Sequence, residues 1–106
     1  MTDMELLELA AKAASIYLDW DAPGDPIARD GDEWNPLTDD GDALRLAHKL
    51  SIEVSPIQKS RSTHTIYGSH NDVRSFVERW PDSGDGLECT RRAIVRAAAE
   101  IGEAMP

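Results

Sequence analysis

Histidine and cysteine are the side chains best suited to hold metals or attack substrates, and this chain has few of them. Its three histidines are His48, His64 and His70, far apart in the sequence. None belongs to an H-x-x-x-H, C-x-x-C or H-E-x-x-H pattern, which are spacings that bring metal ligands together. We therefore interpret the histidines as structural residues and expect no metal site and no cofactor.

The single cysteine, Cys89, precedes Arg91 and Arg92 near the expected start of the last helix. A helix N-terminus and nearby positive charge can lower the pKa of a thiol and make it nucleophilic. No histidine is placed by the sequence to act as its base, so we interpret Cys89 as a packing residue and expect no enzyme. One cysteine also cannot form an intrachain disulfide, which favours the reducing cytoplasm of a cell.

Acidic residues are the most prominent chemical feature of the chain. It has 20 acidic and 11 basic residues, a formal net charge of −9. Residues 19–42, which we call the acidic segment, contain nine acids and one arginine, Arg29, so this segment carries −8 and the rest of the chain −1. The nine acids are Asp19, Asp21, Asp25, Asp30, Asp32, Glu33, Asp39, Asp40 and Asp42. Such a field repels phosphate backbones, so we expect no direct nucleic-acid binding and a partner protein with a basic surface.

Trp34 lies inside the acidic segment, next to an expected loop. An exposed aromatic side chain surrounded by carboxylates is a common protein-binding hot spot, and packing in the core is the alternative. We predict a partner-binding surface on this segment. Its residues are Asp30, Asp32, Glu33, Trp34, Asp39, Asp40 and Asp42. The last three aspartates lack the spacing of a calcium loop and also suit a helix N-terminus.

A second candidate site lies on the last helix. Arg91, Arg92 and Arg96, helped by the helix N-terminus, could bind an anionic small ligand such as a nucleotide signal. The alternative is that these arginines form the solvated face of an amphipathic helix.

Hydrophobic periodicity predicts the elements that must position these residues. Thr2 and Glu5 have the T-x-x-E spacing of a capping box, before a first helix that runs to about Ala14. Alternation over residues 16–20 and a short run at 27–29 predict two strands of a hairpin.

The second helix should carry the acidic site. Thr38 or Asp39 is its expected N-cap, and aspartates in its first turn suit the positive end of the helix dipole. We expect this helix to end near residue 50. Its predicted buried stripe is Ala43, Leu44, Ala47 and Leu50.

Three β-like runs follow, at residues 52–55, 63–67 and 72–80. The apolar residues of the third run also fit helical spacing. We predict a strand there, because a short segment that leaves a tight turn can pair directly with its neighbour. The last helix is predicted from Leu87 to the C-terminus, with Asp85 as its candidate cap.

These elements give the order α-β-β-α-β-β-β-α. We expect a single α+β domain over residues 1–106, with a mixed or mainly antiparallel sheet and three helices in an α/β/α sandwich-like arrangement. The composition, 41% hydrophobic and 29% charged, is that of a globular protein. No apolar run approaches the roughly 20 residues that span a bilayer, so we expect no membrane association.

One stretch carries a family resemblance. Trp34-Asn35-Pro36, Asp42-Ala43-Leu44 and Lys49-Leu50 lie within WNPLTDDGDALRLAHKL, and SIEVSPIQ, THTIYGS and TRRAIVRAAAEIG follow it. Over about residues 34–103 the chain resembles small phage and prophage proteins grouped as the phage ABA sandwich domain. The resemblance implies a helix–sheet–helix sandwich and a bacteriophage or prophage origin, and it transfers no catalytic or binding residues.

Together, charge and resemblance predict a non-enzymatic phage accessory protein in the cytoplasm of the host cell. It would bind and modulate a host protein, for example as an anti-CRISPR-like inhibitor of a defence effector. The alternative is a protein that binds or sequesters a small ligand. The sequence leaves the oligomeric state open.

Overall fold

Over the residues it describes, the computed structural model contains three helices and five strands in the predicted order. It describes residues 2–19, 27–28, 33–69, 72–81 and 86–105. The helices are α1 (Asp3–Ala13), α2 (Asp40–Lys49) and α3 (Leu87–Ala104), and the strands are β1 (Leu18–Asp19), β2 (Ile27–Ala28), β3 (Glu53–Ile57), β4 (Ser62–Ser69) and β5 (Asp72–Arg79). No helix in this part of the chain has the length and apolar character of a membrane span.

The predicted capping box starts α1. The hydroxyl oxygen of Thr2 accepts the Glu5 amide at 3.1 Å, and the Glu5 carboxylate accepts the Thr2 amide at 3.3 Å. The helix ends as expected, but β1 begins at Leu18 rather than at Ile16. The reason is local, because Ser15 has a positive φ of 58° and the Ile16 amide still donates to the Ala11 carbonyl at 2.8 Å.

Helix α2 begins at the predicted cap, since the Asp39 side chain accepts the Asp42 amide at 2.8 Å. The predicted buried stripe is wrong at one position. Leu44 is 70% exposed, whereas Leu46 is 2% exposed. Ala43, Leu46 and Ala47 follow the i, i+3, i+4 spacing of one helix face, and Leu44 lies about 100° away from Ala43 around the axis.

Strands β3, β4 and β5 form one antiparallel sheet in that order, so the expectation of a mainly antiparallel sheet is confirmed. Residues 72–79 are a strand, as predicted, because they pair with β4 from Ser69↔Asp72 to Ser62↔Arg79. The local sequence fits the period of a helix and that of a strand equally well. Pairing with β4 therefore decided in favour of the strand. Strands β1 and β2 pair separately as a two-stranded hairpin.

The helices lie on one face of the three-stranded sheet. Helix α3 contacts all three of its strands, and α1 and α2 contact α3. Ile66, Val73 and Val77 are exposed on the other face. The α+β class with three helices is thus confirmed, but within the described ranges the layers run sheet, α3, then α1 and α2, rather than helices on both sides.

Close approach of α1 and α3 builds much of the core. Ala10, Ala14, Ala97 and Ala98 are almost fully buried between these helices. A side chain at Gly102 would overlap the Leu9 carbonyl oxygen of α1, so only glycine permits this spacing. On the sheet side, Thr63, Thr65 and Tyr67 of β4 point toward the helices and are buried.

Candidate functional site

Trp34 belongs to the hydrophobic core and not to the predicted binding surface. It is 7% exposed and lies in the same buried cluster as residues of α1, α2 and α3. Of the two readings weighed for this tryptophan, core packing is the one the structure supports. The acidic segment therefore has no exposed aromatic anchor at this position.

The loop that follows Trp34 is fastened to the start of α2 by backbone hydrogen bonds. The Asn35 amide donates to the Asp42 carboxylate at 3.0 Å, and the Leu37 amide donates to the Asn35 side-chain oxygen at 3.0 Å. The Asp39 amide donates to the Asn35 carbonyl at 2.9 Å. These bonds fix the conformation of the loop.

Asp42 is the centre of this arrangement and is itself 8% exposed. Its carboxylate accepts the Asn35 amide and pairs with Arg45, whose Nη2 lies 2.7 Å from Oδ1. A buried carboxylate that accepts such bonds holds the local backbone in place. Asp42 therefore has a structural role, and its contact with a partner stays a prediction.

A polar cleft of about 340 Å³ lies at the start of α2, and we call it the acidic cleft. Its lining residues are Glu33, Asn35, Thr38, Asp39, Asp42 and Arg45. Three carboxylates and one guanidinium leave the lining at a formal −2. Glu33 and Asp39 are exposed, and Arg45 Nη2 approaches Asp39 only to 3.9 Å. The cleft could accept one further cationic side chain.

Asp40 points away from this cleft. Its carboxylate lies 2.7 Å from Arg91 Nη1, and Arg91 Nε donates to the Leu37 carbonyl at 2.8 Å. Asp40 and Arg91 thus join α2 and its loop to α3. Of the other predicted partner-binding residues, Asp30 and Asp32 lie outside the described residues.

The three arginines of the alternative site do not converge. Arg91 pairs with Asp40, Arg92 with Asp3 at 3.1 Å, and Arg96 with Glu78.

Arg92 and Arg96 do share a groove of about 300 Å³ between α3 and β5, which we call the β5 groove. Glu78, Glu100 and Glu103 line it too, so carboxylates outnumber guanidinium groups there. Because of that balance, the groove does not favour an anion.

The surroundings of Cys89, in the first turn of α3, do not activate its thiol as a nucleophile. Burial raises the pKa of its thiol most, and the negative charge of Glu78 raises that pKa further. The positive charge of Arg92 lowers the pKa, by a smaller amount than either cause raises it. The thiol donates to the Arg79 carbonyl at 3.4 Å. Among the described residues, no three acidic, histidine or cysteine side chains are grouped so that they could hold a metal ion.

Two features of the structure were not predicted from the sequence, one in the acidic cleft and one outside it. Arg45 completes the acidic cleft, and its i, i+3 spacing from Asp42 was the available signal. The second is a hydrogen-bond chain in which Trp80 Nε1 donates to the Thr63 hydroxyl at 2.8 Å, with the Thr90 hydroxyl 2.7 Å from that oxygen. This chain ties the end of β5 to β4 and α3, as expected for a tryptophan that anchors two layers.

No protein-family model, curated protein or solved structure matches this chain. The resemblance to the phage ABA sandwich domain therefore stays a prediction, and the candidate site depends on its own geometry.

Proposed function

We propose that this protein is a non-enzymatic phage or prophage accessory protein that binds and modulates a host protein in the host cytoplasm. The observation that supports this most is the placement of negative charge. The acidic segment carries −8, and three of its acids, Glu33, Asp39 and Asp42, line one cleft.

The acidic cleft suits a lysine or arginine presented by a basic protein surface. Asp42 is already paired with Arg45, so Glu33 and Asp39 are the carboxylates that an incoming cation would meet. The fixed loop between Trp34 and Asp39 reduces the entropy lost on binding, because these residues are already ordered.

Electrostatics of this kind act more on the rate and specificity of association than on its strength. Exposed ion pairs contribute only about 0.2–1 kcal/mol each, so apolar contacts elsewhere must supply most of the affinity. Steering by a net charge of −9 weakens as salt rises. A basic, nucleic-acid-handling surface of a defence effector is the kind of target that meets these conditions.

The test is capture of a partner from a bacterial host lysate by the tagged chain, at low and at high salt. Glu33→Gln combined with Asp39→Asn removes both exposed charges of the cleft, and asparagine still caps α2. Glu8→Gln combined with Glu53→Gln is the matched control, since both residues are exposed and neither lines the cleft.

We expect a protein captured at low salt, lost at high salt and lost with the cleft variant, but retained by the control. Capture of nothing at either salt concentration would contradict the proposal. Equal capture by the cleft variant and by the control would show that the partner does not bind at the acidic cleft.

A further inference from the structure

The three-stranded sheet has two edge strands, which differ in how well they are protected against pairing with another strand. Strand β3 is five residues long, and Pro56 removes one of its backbone donors. Strand β5 is eight residues long, contains no proline and is exposed along most of its length. In the described part of the chain, nothing pairs with the outer side of β5. A long edge strand without proline offers its backbone groups as a template for another strand.

We propose that β5 pairs antiparallel with β5 of a second copy of this chain, around a two-fold axis at Phe76. The two sheets would join into one of six strands. A two-fold axis that relates two neighbouring antiparallel strands is perpendicular to their sheet. The helix-facing sides of both copies therefore lie on the same side of the joined sheet. Each residue of β5 then lies opposite one from the same face.

Charge selects the register. The helix-facing residues of β5 include Arg74, Phe76 and Glu78, which lie beside Tyr67, Thr65 and Thr63 of β4. With the axis at Phe76, Arg74 of each copy lies opposite Glu78 of the other, and the two Phe76 rings meet. Cross-strand pairs of opposite charge and of aromatic rings stabilise antiparallel sheets.

Neighbouring registers lack this complementarity. An axis at Ser75 would set Asp72 opposite Glu78, two like charges. An axis at Arg74 would set the two arginines opposite each other. Since like charges that face each other destabilise a sheet, both registers are disfavoured.

Phe76 is placed to contribute apolar contact to such a pair. It is 39% exposed at the strand edge and stacks on Tyr67 with ring centroids 5.9 Å apart. It also lines the β5 groove, together with Leu6, Ala93 and Ala99. The helix-facing side chains of the second copy would lie on the same side of the sheet as this groove.

The net charge of −9 opposes association of two copies. Pairing should therefore be measured where repulsion between distant charges is screened, at an ionic strength of about 0.15 M or above. Sedimentation of the chain over a concentration series then gives its mass, for comparison with the 11.7 kDa of the monomer.

The decisive variants reverse the charge of either Arg74 or Glu78. Arg74→Glu alone sets two glutamates opposite each other at both contacts, and Glu78→Arg alone sets two arginines there. We expect each single variant to raise the dissociation constant roughly tenfold or more. An equimolar mixture of the two variants restores opposite charges at both contacts and should form a mixed dimer.

The double variant Arg74→Glu with Glu78→Arg should also pair, as the wild type does. Lys59→Glu, in the exposed turn between β3 and β4, changes net charge as Arg74→Glu does and should leave pairing unchanged. Circular dichroism checks that Glu78→Arg, which loses its contact with Arg96, remains folded.

A wild type that stays monomeric throughout the concentration series would overturn the proposal. A dimer that Arg74→Glu leaves intact, or single variants that fail to pair when mixed, would overturn it as well. None of these results bears on the acidic cleft, whose test uses a host protein.

Discussion

The start of α2 and the edge strand β5 are both rich in charge, but they use it differently. At the start of α2, the charged groups bind one another and the backbone, with Asp42 buried between Asn35 and Arg45. On β5, Arg74 lies at the exposed edge, and its contact with Asp72 is 3.8 Å long. A charge that is satisfied internally stabilises the fold, whereas one that faces solvent remains available to a partner.

The aromatic residues of the two regions show the same contrast. Trp34 is buried in the core although acids surround it in the sequence, and Phe76 is partly exposed in a strand with few acids. Local charge in the sequence thus does not indicate whether a ring is exposed. Packing against the helices decides that.

The largest effect that distinguishes the two regions is expected from Trp34→Ala. Removing a buried tryptophan costs about 3–5 kcal/mol, because apolar contacts are lost and a cavity is left. Phe76→Ala is the matched control and should cost well under half as much, since that ring is partly exposed. Urea unfolding of both variants measures the difference. Equal losses would show that Trp34 is not a core residue.

Asp42→Ala should have the next largest effect. The Asn35 amide loses its acceptor, and Arg45 loses its nearer carboxylate, at a combined cost of about 2 kcal/mol. Asp42→Asn keeps an acceptor oxygen and should lose less. Asp72→Ala on β5 is the control, because its carboxylate is exposed, and a loss there as large as at Asp42 would contradict the contrast between the regions.

Much of the fold was predictable because several local signals agreed. The capping box at Thr2, the cap at Asp39 and the alternation in β4 each follow from hydrogen bonds or side-chain periods within a few residues. The site was less predictable. Burial of Trp34, the Asp40–Arg91 contact and the pairing of Arg92 and Arg96 all depend on elements distant in the sequence.

The effect of the Glu78 charge can also be measured through the reactivity of the Cys89 thiol. Burial is the main cause that raises the pKa of this thiol, and Glu78 is the next. Glu78→Gln should therefore lower the pKa of Cys89 and speed its alkylation by iodoacetamide at pH 8, by roughly twofold, because more thiolate is present. Glu88→Gln should act less, since the charge of Glu88 raises the pKa of the thiol less than that of Glu78 does.

The same thiol makes a small contribution to the pH dependence of stability. Its pKa is raised in the folded state, so the folded chain holds the proton more tightly than the unfolded chain does. The free energy of unfolding should fall slightly as pH rises through the ordinary thiol range toward the folded pKa. Cys89→Ala should remove that fall, and a slope that persists in this variant would assign it to another group.

The smallest effect is expected from nucleotides. Arg91, Arg92 and Arg96 each pair with a carboxylate, and an anion would have to displace these partners. We expect no shift in melting temperature with mono-, di- or cyclic nucleotides. A ligand present at 100 times its dissociation constant would add about 2.7 kcal/mol to the free energy of unfolding, which a thermal-shift assay detects readily.

A stabilising nucleotide whose effect disappears with Arg92→Gln, but not with Lys59→Gln, would show that the β5 groove binds anions despite its carboxylates. It would also favour a ligand-binding protein over the protein-binding function proposed above.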